Sequence, residues 1–214
     1  MFASRSTLQK SIVSDAQQFW NSRYAGDDYT YGTDPNDFLV EALAGENIGR
    51  AFSLGEGEGR NAVWLAERGG EVASIDASDR GVAKTLELAE SRGVQVAAQR
   101  GFLEDLKLAD GRYDTIISIF AHTDPDLRRR LHRQAVDALA PGGVLVIEAY
   151  SPRQLTHGTG GPRDERLLVT VEDFREELVG LQFEILHEIE RDVIEGTLHT
   201  GWAAVVQCKA RKPL

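Results

Sequence analysis

Residues 53–61 read Ser-Leu-Gly-Glu-Gly-Glu-Gly-Arg-Asn, and the next apolar run, Glu71 to Asp76, ends in an acid. A glycine loop after one buried strand, with a carboxylate closing the next, is the arrangement of a nucleoside-binding βαβ unit. The chain is therefore expected to build a parallel sheet and to bind a nucleoside-containing cofactor at the ends of its first two strands. The competing reading is that Gly55, Gly57 and Gly59 only make a tight turn and Asp76 only caps the helix after it.

The loop's details choose among cofactors. A dinucleotide fingerprint needs its third glycine three residues after its second, where this chain has Arg60. Glu56 and Glu58 would also repel the phosphates that a helix N-terminus usually attracts. A cationic ligand without phosphate fits better. S-adenosylmethionine carries a sulfonium, and its ribose diol can donate hydrogen bonds to Asp76.

The rest of the chain extends this unit. A helix is expected within Ser6 to Tyr24, then an irregular stretch to Asn36. Strands follow at Ala51 to Leu54, Val72 to Ile75, Val94 to Ala98, Tyr113 to Ile119 and Val144 to Tyr150, with intervening helices stopped by Gly69-Gly70, Gly93 and Pro141-Gly142-Gly143. Thr170 to Asp173 resembles a capping box and opens a last helix. Phe183 to Arg191 and Trp202 to Lys209 are then separated by about ten residues without a helix, too few for a parallel crossover, so they pair antiparallel. The fold class expected is α/β: a seven-stranded mixed sheet of five parallel βα repeats and a C-terminal antiparallel hairpin. Residues 1–214 are expected to form one domain, with 1–36 as an N-terminal cover segment and 37–214 as the α/β core.

Composition narrows the partners. A net charge of −10 disfavours a nucleic-acid partner, which needs concentrated basic surface. The one basic run, Arg128 to Arg130 with Arg133, is expected on the solvated face of a helix whose inner face carries Leu127 and Leu131. No apolar run is long enough to span a membrane and the first ten residues lack a signal-peptide centre, so no membrane partner and a cytoplasmic location are expected. Cys208 is the only cysteine, within a strand-like run, and is expected to pack. No histidine or cysteine pair has metal-ligand spacing, so no metal is expected.

Several motifs together carry a resemblance. Phe19 to Tyr24, Tyr31 to Leu39, the glycine loop, Tyr113-Asp114 and Leu139 to Gly143 resemble the class I S-adenosylmethionine-dependent methyltransferases, and more narrowly the small bacterial branch of tellurite-resistance and thiopurine methyltransferases. The resemblance implies a methyltransferase acting on a small-molecule acceptor, with S-adenosylmethionine as its cofactor. Its implied cofactor contacts are Gly55, Glu56, Gly57, Gly59, Asp76, Ala77, Phe102, Leu103 and Ile119, with Tyr24 and Tyr31 from the cover. Two positions depart from the family. Glu56 replaces the usual small residue, and Phe102 stands near where many relatives place an acid for the adenine amino group. Phe102 is either an adenine contact or a core anchor of its loop.

Methyl transfer from an activated sulfonium needs alignment and desolvation, and a base only when the acceptor must lose a proton. The candidates gather where ligands sit in open α/β sheets, at the carboxyl ends of the parallel strands. His122 follows the fourth strand, Arg153 and His157 follow the fifth, and His199 precedes the antiparallel last strand. His199 and His122 are the catalytic candidates, and Arg153 and His157 the substrate-side ones. The glycine-rich segment His157 to Pro162 is expected to act as a lid. Glu195 to Thr200 resembles a Gly-Glu-Leu-His stretch of tellurite-resistance methyltransferases, but Thr200 stands where those proteins carry an arginine. Trp20, Tyr24, Tyr29 and Tyr31 form either a cover over the cofactor or an aromatic packing cluster. Two other functions remain open at this point: a non-catalytic S-adenosylmethionine-binding regulatory domain and a nicotinamide-dependent oxidoreductase.

Overall fold

A computed structural model describes residues 15–214. Strands β1 (Arg50–Leu54), β2 (Glu71–Asp76), β3 (Val96–Arg100), β4 (Tyr113–Ile119) and β5 (Leu139–Tyr150) run parallel. Strands β6 (Gln182–Glu195) and β7 (His199–Arg211) complete a seven-stranded sheet in the order β3-β2-β1-β4-β5-β7-β6, with β7 antiparallel to both β5 and β6. This is the α/β mixed sheet expected. The order reverses between β1 and β4, and the crevice at that switch point faces the glycine loop.

Among the described residues the α-helices are α1 (residues 15–23), α2 (Asp37–Ala42), α3 (Arg60–Glu67), α4 (Asp79–Ser91), α5 (Pro125–Ala138) and α6 (Val171–Glu177). Residues 6–14 of the first expected helix lie outside the described residues. Local chemistry sets the starts. The Ser78 hydroxyl accepts the Gly81 amide, Asp124 caps α5 ahead of Pro125, and Thr170 and Asp173 exchange both bonds of a capping box. The central strands are buried on both faces, so alternate residues enter different cores. Ile117, Val144 and Val146 pack with α2, α3 and α4, while Ile116, Leu145 and Ile147 pack with α5 and α6.

Five expectations need correction; in the first, α5 stops at Ala138 and β5 already begins at Leu139, so Pro141-Gly142-Gly143 lie within the strand rather than ending the helix. Helix α2 was not expected; Asn36 starts it by accepting the Leu39 amide. Strand β3 begins at Val96, not Val94, and ends at Arg100. The hairpin strands are longer, leaving only Gly196-Thr197-Leu198 between them, because Arg191 and Glu195 break the apolar pattern while turning their side chains inward onto buried partners. Arg128 is not solvated. It lies buried against Glu177, which it holds at 2.8 Å, and within 3.2 Å of Asp173, so α6 covers a face that Leu127 and Leu131 alone had not defined. Cys208 is buried among apolar residues, as expected, and burial pushes its thiol up to about 12.

Candidate active site

A cavity of about 670 Å³ opens at the carboxyl ends of β1 and β4, within the size range of small-ligand sites. Its floor is the glycine loop with Asp76, Ala77, Leu103 and Ile119; its far wall is Phe120, His122 and the β6–β7 turn; Trp20, Tyr24 and Tyr31 stand over it.

The glycine loop is shaped by what presses on it. Gly57 has φ +72°, and a Cβ there would stand 2.8 Å from the Tyr24 hydroxyl, so a side chain would drive the front segment away. The Gly57 amide donates to Asp76 Oδ2 and the Ser78 amide to Oδ1, each at 2.8 Å. A carboxylate offers about four acceptor positions, so Asp76 stays oriented and still has capacity for ribose hydroxyl donors. Burial raises the Asp76 carboxyl, against the pull of the Ser78, Gly57 and Ala77 amides.

The two loop glutamates have distinct duties. Glu56 Oε1 accepts the amides of Asn61 and Ala62 at 3.0 and 2.9 Å, and its other oxygen is bonded by the Ser53 hydroxyl. The first turn of α3, which a phosphate would otherwise use, is thus filled from within the chain. Glu58 pairs with Lys84 at 2.7 Å and accepts the Thr30 amide at 2.8 Å, so it clasps the front segment. Neither duty is legible in the loop's own sequence, because the partners of Glu58 lie on the front segment and on α4.

The far wall contains the histidines. His122 is engaged by backbone at both ring nitrogens, Nδ1 with the Leu167 carbonyl at 3.0 Å and Nε2 with the Tyr150 amide at 3.5 Å. Burial pushes its ring down to about 4. His199 stands against Tyr31, Phe120 and Tyr150, with ring centroids 4.3, 5.0 and 5.5 Å away. Its Nδ1 is buried with no hydrogen bond among the described residues, 3.8 Å from Glu195 Oε2. Phe120 holds a positive φ of 53°, a strained backbone for a bulky residue, and its ring forms part of the cavity wall.

Behind this wall lies a buried polar hub. The Asn36 amide group donates to Glu148 Oε2 at 2.5 Å and Glu195 Oε1 at 2.6 Å; Arg191 forks onto Glu148; Arg60 Nη2 reaches Glu195 Oε2 at 2.6 Å. Arg60 Nη1 is buried without a hydrogen-bond partner among the described residues, and the residue lines the cavity. The residue that spoils the dinucleotide fingerprint is therefore part of the site. Nothing local signals the hub, because Asn36 meets partners 112 and 159 residues away.

Not every expected site residue reaches the cavity. Gly57 and Gly59 shape the loop from behind, Gly59 pressing on Thr85. Phe102 lies under the Arg100 guanidinium, 5.4 Å from ring centre, half-buried and outside both core clusters, and the cavity is lined by Leu103 instead. Arg153 and His157, on and just after the 3-10 turn that follows β5, lie against Glu190 of β6 at 2.5 and 3.3 Å and do not line the cavity. The neighbouring Gly158 to Pro162 does line the cavity. Of the four front aromatics, Tyr29 is a packing residue bonded to the Lys84 carbonyl, while the other three line the cavity. Among the described residues no group of three His, Cys, Asp or Glu could hold a metal ion, and no helix is long and apolar enough to cross a membrane.

Residues 51–143 match the methyltransferase domain family. A ribosomal RNA small subunit methyltransferase C of Alcanivorax borkumensis is 32% identical over 119 residues, covering 52% of this chain and 36% of that protein, so the chain spans about a third of that relative. A 2-heptyl-1-hydroxyquinolin-4(1H)-one methyltransferase of Mycobacteroides abscessus is 25% identical over 163 residues, 71% of this chain and 72% of that protein. The fold matches the N-methyltransferase NodS of Bradyrhizobium japonicum, solved with S-adenosyl-L-homocysteine, with a TM-score of 0.68 at 18% identity over 94% of this chain and all of that one.

Proposed function

We propose that this chain, with a methyltransferase domain over residues 51–143 and the Rossmann-like methyltransferase fold, transfers a methyl group from S-adenosylmethionine to a small-molecule acceptor. The observation that carries the reading is Glu56 seated on the amides of Asn61 and Ala62. It removes the phosphate site of a dinucleotide binder while Asp76 stands ready for a ribose, so the nicotinamide alternative loses its anchor. Bound there, S-adenosylmethionine supplies an electrophilic methyl group. Asp76 would take the ribose hydroxyls, Leu103 and Ala77 would flank the base, and the unpartnered Arg60 Nη1 suits the carboxylate of the methionine part.

Trp20, Tyr24 and Tyr31 then exclude water from the sulfonium, and the region beyond, walled by Phe120 and His199, takes the acceptor. A small planar acceptor suits these aromatic walls, and the relative named for a hydroxyquinolone points the same way. An RNA acceptor is disfavoured by the charge of −10 and by the front segment lying over the cavity. The narrower kinship with tellurite-resistance and thiopurine methyltransferases remains part of the proposal for the scaffold; Thr200 argues against tellurite itself. S-adenosylhomocysteine release, measured over phenols, N-hydroxy heterocycles, thiols and selenite, tests the reading. Turnover on an organic acceptor supports it; binding of S-adenosylmethionine with no turnover on any would favour a regulatory domain.

A further inference from the structure

We propose that Glu195 is a positioning residue for His199, fixing the imidazole so that Nε2 serves as the base for an acceptor that arrives protonated, as a hydroxyl, thiol or amine. The inference rests on the methyltransferase reading above and narrows its acceptor class.

Glu195 ends β6 and His199 begins β7, and the two residues are register partners across the hairpin turn. The carboxylate is held from three sides: Arg60 Nη2 and Asn36 Nδ2 lie at 2.6 Å, and Arg191 Nη2 at 3.4 Å. It therefore remains ionised and cannot turn away. Burial alone would raise it, but the contacts from His199, Arg60 and Asn36 outweigh burial and hold it down to about 2.

A neutral imidazole has one N–H and one lone pair. His199 Nδ1 is shut off from solvent, has no hydrogen bond, and faces Glu195 Oε2 at 3.8 Å. A lone pair there would oppose the carboxylate, whereas an N–H would be attracted to it. The tautomer is thereby set, and the lone pair falls on Nε2, which has no hydrogen-bond partner among the described residues, on a residue that lines the cavity. The 3.8 Å separation is long for a hydrogen bond, and catalytic bonds of this kind commonly shorten when substrate binds. His122 is no rival, because backbone engages both its nitrogens.

The groups facing His199 are Glu195 from β6, Arg60 from α3, Arg23 from α1, Tyr31 from the front segment, Tyr150 from β5, and Phe120 with His122 after β4. Burial lowers the ring's basicity and Glu195 raises it, so the ring is neutral and competent as a base at neutral pH. In the transfer the sulfur–carbon bond breaks with its electron pair left on sulfur, the acceptor heteroatom bonds to that carbon, and the acceptor's proton passes to Nε2.

The test uses the full chain with ¹⁵N-labelled histidine and no cofactor, the His199 signals being those lost in His199→Gln. The expected result is a proton on Nδ1 at neutral pH in the wild type, and in Glu195→Gln a loss of that preference with the titration midpoint lowered by about one pH unit. With cofactor and an active acceptor, Glu195→Gln should cut kcat about ten- to a hundredfold and move the acid limb of the pH profile down with the midpoint. A wild-type proton on Nε2 would overturn the proposal, even if the variant does not fold. So would an acid limb unmoved in an active Glu195→Gln. Failure of the wild type to bind S-adenosylmethionine would instead overturn the methyltransferase reading on which the pairing rests.

Discussion

Glu58 Oε2 accepts the backbone N–H of Thr30 at 2.8 Å, and the Thr30 carbonyl in turn accepts that of Thr197 at 2.9 Å. One residue of the front segment is thus clasped between the glycine loop and the β6–β7 turn. Tyr31, its neighbour, is thereby held against His199. Glu58→Ala alone would leave the buried Lys84 charge without its carboxylate, with only the Asp28 carbonyl to accept from it, a cost of up to about 3–5 kcal/mol. Glu58→Ala combined with Lys84→Met removes both charges and should give a folded protein whose affinity for S-adenosylmethionine is weaker by about tenfold. Wild-type affinity in that double variant would show that the clasp does not support the cofactor cover.

Glu56 supports α3 through acceptor geometry rather than charge, since burial raises its carboxyl against the amide and hydroxyl bonds it receives. Glu56→Gln keeps a carbonyl oxygen for Asn61 and Ala62 and should be tolerated. Glu56→Ala leaves both amides uncapped and should cost about 2 kcal/mol in urea unfolding. Equal losses in the two variants would mean that the charge itself holds the helix.

His122 predicts a pH effect of definite sign. Its folded pKa of about 4 lies below the ordinary 6.5, so the unfolded chain binds the extra proton between those values. Its contribution to stability is complete above about pH 6.5 and is lost as pH falls toward 4. In His122→Asn the decline in urea midpoint over that window should be shallower by about one proton's worth. A decline as steep as the wild type's would assign the proton elsewhere.

Cys208, buried with its thiol raised to about 12, should not react with a thiol reagent at neutral pH until the chain unfolds. Rapid modification of the native protein would mean that the β5–β7–β6 part of the sheet opens readily.

What the sequence revealed was local in origin. The glycine loop, Asp76, the proline and capping-box starts and the isoleucine-rich β4 all lie within a few residues of the feature they specify. The hub of Asn36, Arg60, Glu148, Arg191 and Glu195 was hidden because its members come from the α2 N-cap, α3, β5 and β6, far apart in sequence, and look like ordinary surface residues. Arg128 was misplaced for the same reason: Leu127 and Leu131 define one stripe of α5, and the cover given by Glu177 comes from a later helix. His199 reached the cavity because strand direction alone carries the start of an antiparallel strand to the carboxyl rim. Arg153 and His157, on a turn, had no such constraint.

The central claim is that Asp76 and the glycine loop hold S-adenosylmethionine, and titration calorimetry on the wild type and Asp76→Ala tests it most directly. Charged-acceptor bonds to two hydroxyls are worth roughly 1.5–3 kcal/mol each at most, so Asp76→Ala should weaken S-adenosylmethionine binding by about ten- to a hundredfold. NADH should give no saturable heat with either protein. Saturable NADH binding, or an unchanged dissociation constant for S-adenosylmethionine in a folded Asp76→Ala protein, would contradict the account.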